Sequence, residues 1–317
     1  MTGRTWYRGW VALLAVALAI GLAACGSSNK SSSSSSSSSG SSAQPGKGKP
    51  AITIGSKNFT EEYILGQLYL QALKAKGYNV TLKNNIGSSE ITDKALTSGK
   101  IDMYPEYTGV IVQELAHDNS KPKSADETYT KAKAFQEKRG FTLLDKSPGQ
   151  DADVNVTTPA YAKKHGLAST ADLKKVPNFK FGAPPENKTR YQGAVGMKQV
   201  YGLTFQFVPL TIGLRYQALD SGKVDVIAGF TTEGQLVDKK KYLLLTDPKG
   251  IFGFQNIAPV INKKKLDAMG PEFQTTVNAV TSKLTNEALQ KMNGAVDLDK
   301  QKPADVAKQF LQANGLK

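Results

Sequence analysis

Cysteine, histidine and tryptophan are nearly missing from this sequence. Among 317 residues there is one cysteine, Cys25, and two histidines; both tryptophans, Trp6 and Trp10, lie in the first ten residues. Beyond residue 25, no disulfide, cysteine-bearing zinc site or thiol nucleophile can form. An aromatic ligand site there has only tyrosine and phenylalanine to draw on. His117 and His165 are far apart and sit among polar residues. Neither offers the paired ligands that a metal site needs, so no metal or cofactor is expected. A serine-centred elbow and a convincing carboxylate dyad are also missing, which argues against an exported enzyme.

Acidic side chains are in the minority: Lys+Arg number 41 against Asp+Glu 27, a net charge of +14. The basic residues are scattered and do not interleave with aromatics, so nucleic acid is not an expected partner. A solvated surface near anionic lipid or cell wall explains the balance. Hydrophobic residues at 39% and charged residues at 21% fit a soluble globular protein.

Trp10 to Leu22 is an uncharged apolar run, preceded by Arg4 and Arg8 and followed by small residues and Cys25. It is short for a membrane span and reads as a secretory signal over residues 1–24. Leu22-Ala23-Ala24-Cys25 resembles the lipobox of bacterial lipoproteins. The resemblance implies cleavage before Cys25 and acylation of its sulfur, which holds the protein to the membrane without spanning it. Residues 25–50 include a serine run from Ser31 to Ser39 and almost no apolar side chains. They cannot offset their own ordering entropy and are expected to form a flexible tether.

The remainder, 51–317, alternates strand and helix. Ile52 to Ile54 is a short strand. Asn58 or Thr60 is placed to cap a helix from about Glu61 to Lys76, with Ile64, Leu65, Leu68, Leu70, Ala72 and Leu73 on its apolar face. Gly77 ends that helix, and a strand follows over Asn79 to Leu82. A second helix, Glu90 to Ser98, leads to the strand Ile101 to Tyr104. This alternation predicts an α/β fold with parallel or mixed sheets flanked by helices.

One phrase then returns. Ala95-Leu96-Thr97-Ser98-Gly99-Lys100-Ile101-Asp102-Met103 is echoed by Ala218-Leu219-Asp220-Ser221-Gly222-Lys223-Val224-Asp225-Val226. The echo sets Tyr107 opposite Phe230 and Thr108 opposite Thr231. Helix-glycine-strand phrases are common in α/β proteins, but the matched aromatic beyond each strand favours a duplication into two similar lobes. Open α/β sheets bind ligands outside the carboxyl ends of their strands. Four segments hold such ends: Ser56–Phe59, Pro105–Gly109, Ala183–Arg190 and Gly229–Glu233.

Ile54-Gly55-Ser56-Lys57-Asn58-Phe59-Thr60-Glu61 and Ile101-Asp102-Met103-Tyr104-Pro105-Glu106-Tyr107-Thr108-Gly109 resemble the substrate-binding proteins of osmoprotectant ABC importers. Members bind glycine betaine, choline, carnitine or proline betaine. The resemblance implies a two-lobed type II periplasmic-binding-protein fold with the ligand cleft between lobes. Residues 51–150 plus 254–317 form lobe 1 and 151–253 form lobe 2, with crossings near 148–156 and 248–257. It also implies an extracytoplasmic receptor that closes over a small osmoprotectant and delivers it to a membrane permease driven by an ATPase, most simply as a monomer.

A quaternary ammonium cannot donate hydrogen bonds and suits stacked ring faces through cation–π attraction. Its carboxylate suits Lys, Arg or a helix N-terminus. By resemblance, Tyr107 is a cage tyrosine, Phe230 stands where another is common, and Lys57 and Arg190 are carboxylate contacts. Thr108, Asp151, Thr231 and Asn256 complete the expected ligand-binding set. The family often has a tyrosine within the stretch here reading Asp151 to Asn155, and a tyrosine pair where this chain has Phe254-Gln255-Asn256. Asp151 or Asp153 can still balance a cation by charge. Gln255 and Asn256 can equally hydrogen-bond a ligand with N–H or O–H groups. The alternative is therefore a binding protein or sensor for a more polar, amino-acid-like zwitterion.

Overall fold

The computed structural model describes residues 44–118 and 120–316. The expected signal, Cys25 and all but the end of the tether lie outside the described residues. The strands are β1 (Ile52–Gly55), β2 (Val80–Lys83), β3 (Met103–Tyr107), β4 (Phe141–Leu143), β5 (Asp153–Thr157), β6 (Phe179–Ala183), β7 (Phe205–Pro209), β8 (Val226–Phe230), β9 (Leu243–Leu245) and β10 (Ile257–Asn262).

They form two five-stranded sheets, ordered β2-β1-β3-β10-β4 and β7-β6-β8-β5-β9. In each, four strands point the same way, and the strand that follows a crossing between lobes runs antiparallel to both its neighbours. The molecule is a two-lobed α/β protein with mixed sheets flanked by helices. Strands of the first sheet lie within 52–143 and 257–262, and those of the second within 153–245.

The echoed phrase occupies equivalent places. Ile54 pairs with Met103 in the first sheet, and Phe181 with Val226 in the second. Asp102 takes the Thr53 N–H on its carboxylate at 2.8 Å, and Asp225 takes the Lys180 N–H at 2.8 Å. Each aspartate stitches the start of its strand to the parallel neighbour. Gly99 and Gly222 hold φ of 72° and 68° behind the preceding helices, where a left-handed residue ends the helix.

The helix after β1, α1 (Thr60–Ala75), buries Ile64, Leu65, Leu68, Tyr69, Ala72 and Leu73, while Leu70 is half-buried. It is covered by the C-terminal helices Pro271–Thr281, Asn286–Asp297 and Pro303–Ala313. Neither Asn58 nor Thr60 caps it. Phe59 holds the N-cap position without a side-chain cap, and Thr60 instead donates to Asp297 at 2.6 Å. The helix α2 (Ser89–Thr97) matches its expected span within one residue.

β3 does not span Ile101 to Tyr104, as expected, but starts at Met103 and runs on through Pro105 to Tyr107. Pro105 faces Pro259 across the pair with β10. The Thr108 N–H donates to the Asn256 carbonyl at 3.0 Å, which places both prolines at alternate positions where the pair exchanges no hydrogen bond.

The two crossings run side by side. Gln150 bridges Asn256, and the Asp151 N–H donates to the Gln255 carbonyl at 3.0 Å.

Candidate ligand-binding cleft

The carboxyl ends of β1, β3, β6 and β8 converge on one cavity between the sheets, with about 480 Å³ of empty space counting its mouth. Most of that is open mouth, and the enclosed space is about 40 Å³. Lys57, Tyr107, Asp151, Arg190 and Phe230 all line it. The sequence reading placed these five together.

The cavity has a three-ring wall. Phe59 lies 6.2 Å from Tyr107 in a stacked arrangement and 5.4 Å from Phe230 in a tilted one. Phe59 was not among the expected site residues. It follows Lys57-Asn58 at the strand-to-helix turn, and its place at the start of α1 turns its ring into the cleft. Tyr107 is 5% exposed and donates its hydroxyl to Glu61 at 2.8 Å. Phe230 carries the Arg215 guanidinium 4.8 Å from its ring centroid.

The expected carboxylate contacts are already paired. The Lys57 ammonium binds Glu106, lies 3.6 Å from Glu62 and sits 4.1 Å from the Tyr107 ring centroid. Arg190 grips Glu90 of α2 with two N–H groups at 2.9 Å each. Burial alone would raise the Glu90 carboxyl, but Arg190 overrides it and holds it down at about 2.

Thr108, Thr231 and Asn256, expected in the site, lie behind it. Each is held by the crossings. Thr108 Oγ1 donates to the Phe254 carbonyl at 3.2 Å. Thr231 Oγ1 donates to the Gln150 carbonyl and accepts the Ala152 N–H. Asn256 Nδ2 donates to the Ser147 and Gly149 carbonyls at 2.9 and 3.3 Å. Gln255 does line the cavity, but its amide is engaged by the Val110 N–H and the Phe252 carbonyl. Glu233 pairs with Arg215 and accepts the Tyr216 hydroxyl at 2.5 Å.

Acidic groups stand in and behind the wall. Glu61 and Asp151 share Thr232, whose hydroxyl lies 2.6 Å from each carboxylate. Burial pushes both carboxyls up. The half-buried Asp153 also lines the cavity; burial is the main cause raising its carboxyl to about 7.

The lobes touch across the cleft. Besides the Phe59–Phe230 and Glu90–Arg190 contacts, Glu114 accepts the Gln192 N–H at 3.2 Å. Asn293 Nδ2 donates to Glu61 at 2.7 Å and to the Thr232 carbonyl at 2.9 Å.

Two mixed sheets, two crossings and one interlobe cavity define a solute-binding protein of the type II periplasmic class. Residues 50–313 match the family model described as the substrate binding domain of ABC-type glycine betaine transport systems, and the chain belongs to that family. It is 31% identical over 278 residues to a glycine-betaine-binding protein of Pseudomonas aeruginosa, covering 84% of this chain and 88% of that one. It is 29% identical over 276 residues to a carnitine transport binding protein of Listeria monocytogenes, covering 85% and 88%. A solved glycine betaine/carnitine/choline ABC transporter structure superposes with a TM-score of 0.67 at 26% identity, covering 84% of this chain and 99% of that one. The protein is therefore a solute-binding component of ABC-type uptake.

Proposed function

We propose that this protein is a lipid-anchored, monomeric receptor outside the cytoplasm, and not an enzyme. It captures a quaternary-ammonium or zwitterionic osmoprotectant between its lobes and hands it to an ABC permease powered by its ATPase. The observation that carries the ligand class is the wall of Phe59, Tyr107 and Phe230 standing beside Asp151 in one interlobe cavity. Ring faces and a carboxylate attract a cation that has no hydrogen to donate. Closure follows because a ligand touching both lobes binds the closed state better, and only such a difference shifts the equilibrium. The names of the relatives support the same ligands.

The test is a thermal-shift and calorimetric screen of quaternary amines and zwitterions. A ligand should raise the melting temperature with concentration. A screen in which no quaternary amine binds removes the ligand class. Anchoring is tested separately: Cys25→Ala should stop fatty-acid labelling and release the protein from the membrane fraction. Unchanged labelling removes the anchor.

A further inference from the structure

The charges inside the cleft are matched unevenly, and the imbalance has a sign. Every cation at the cavity is already held. Lys57, 2% exposed, is bound by Glu106 with Glu62 close by, Arg190 by Glu90 in a bidentate pair, and Arg215 behind Phe230 by Glu233. The anions are not. Asp151 is 4% exposed and lines the cavity, yet both of its side-chain hydrogen bonds, from the Thr232 N–H and hydroxyl, fall on Oδ1. Nothing among the described residues donates to Oδ2. The Asp153 carboxylate, also on the wall, receives no hydrogen bond from any described residue. Glu186 adds a further carboxylate to the lining.

A ligand carboxylate entering this space meets Asp151 and Asp153 and finds no unpaired cation among the described residues. Arg190 has Nη1 N–H groups to offer it, but the charge behind them is already matched by the bidentate pair with Glu90. A bare cation meets three rings and two carboxyl groups with no cation of their own, and it favours their ionised form. We propose that the cleft selects a net-cationic alkylammonium that carries no carboxylate over the zwitterionic betaines. The inference rests on the receptor function proposed above and narrows its substrate class.

Calorimetry of the purified protein with choline and with glycine betaine, at one pH and one ionic strength, tests it. Choline should bind at least tenfold tighter. Asp151→Asn and Asp153→Asn should each weaken choline at least tenfold and leave glycine betaine unchanged or improved. Glu90→Gln frees Arg190 and should tighten glycine betaine. Melting curves identify any variant that fails to fold, and the wild-type comparison decides the matter without them. Glycine betaine binding as tightly as choline overturns the inference and leaves the receptor function standing. Folded aspartate variants that keep their choline affinity overturn it too, as does a folded Glu90→Gln with no gain for glycine betaine. A protein that binds neither compound overturns the inference, and the receptor function falls with it only if the wider screen of quaternary amines and zwitterions is also empty.

Discussion

Phe59 stands between the other two rings of the cleft, and the site's aromatic character depends on it. Phe59→Ala takes away one cation–π face, worth about 0.5–2 kcal/mol. Affinity for a quaternary ammonium should fall roughly 2- to 30-fold by that range, as read by calorimetry. Asn256→Ala should behave in the opposite way. It leaves the cavity wall intact but strips a donor from the buried Ser147 and Gly149 carbonyls. An unsatisfied buried group costs about 1–3 kcal/mol, so denaturant unfolding should show that loss. Lys57 and Tyr107 were legible because they lie in short motifs at strand ends. Asn256 was not, because the direction of its side chain depends on where the returning crossing pairs with Ser147 and Gly149. That pairing joins residues more than a hundred positions apart.

Local patterns carried much of the element-level reading. Apolar spacing along α1 gave its buried face, although Tyr69 was missed because burial there extends under the C-terminal helices. The echo of Asp102 in Asp225 was visible as a phrase, whereas its cause, a carboxylate clamped onto the neighbouring strand, needed the register. The strand's continuation through Pro105 was hidden for the same reason, since only the register with β10 sets that proline where the pair exchanges no hydrogen bond. One contact between elements bears directly on closure. In lobe 2, the turn Gly234–Val237 meets the lobe 1 helix Asn286–Asp297 so closely that a Cβ on Gly234 would lie 2.4 Å from the Gly294 Cα. Backbone cannot yield as a flexible side chain does, so Gly234→Ala should hold the lobes apart. The open state gains population and apparent affinity falls by the fraction of closed protein lost. Ligand binding should weaken while the melting temperature of the free protein stays close to wild type. A variant that binds normally would show that this contact does not gate closure.

At the scale of the molecule, burial of acids in the cleft couples binding to pH. Burial is the largest influence on Asp153, raising its carboxyl to about 7; Arg190, Arg215 and Lys57 pull it down and Glu114 pushes it up. Burial likewise lifts Glu62 to about 8 against the pull of Lys57. A raised carboxyl means that the folded protein holds its proton more tightly than the unfolded chain does. The associated stability is complete below the ordinary carboxylate range and is lost as pH rises through about 7 and about 8. The free protein should therefore melt at a lower temperature at pH 8.5 than at pH 5. Ligand binding should run the other way. A cation beside Asp153 favours the ionised carboxylate, so binding near pH 6 releases a proton and affinity climbs with pH until about 7. Calorimetry at pH 6 in two buffers of different ionisation enthalpy reads the released proton directly, and Asp153→Asn should diminish it. An affinity that stays flat from pH 5.5 to 8, with no proton released, would separate Asp153 from the ligand's charge.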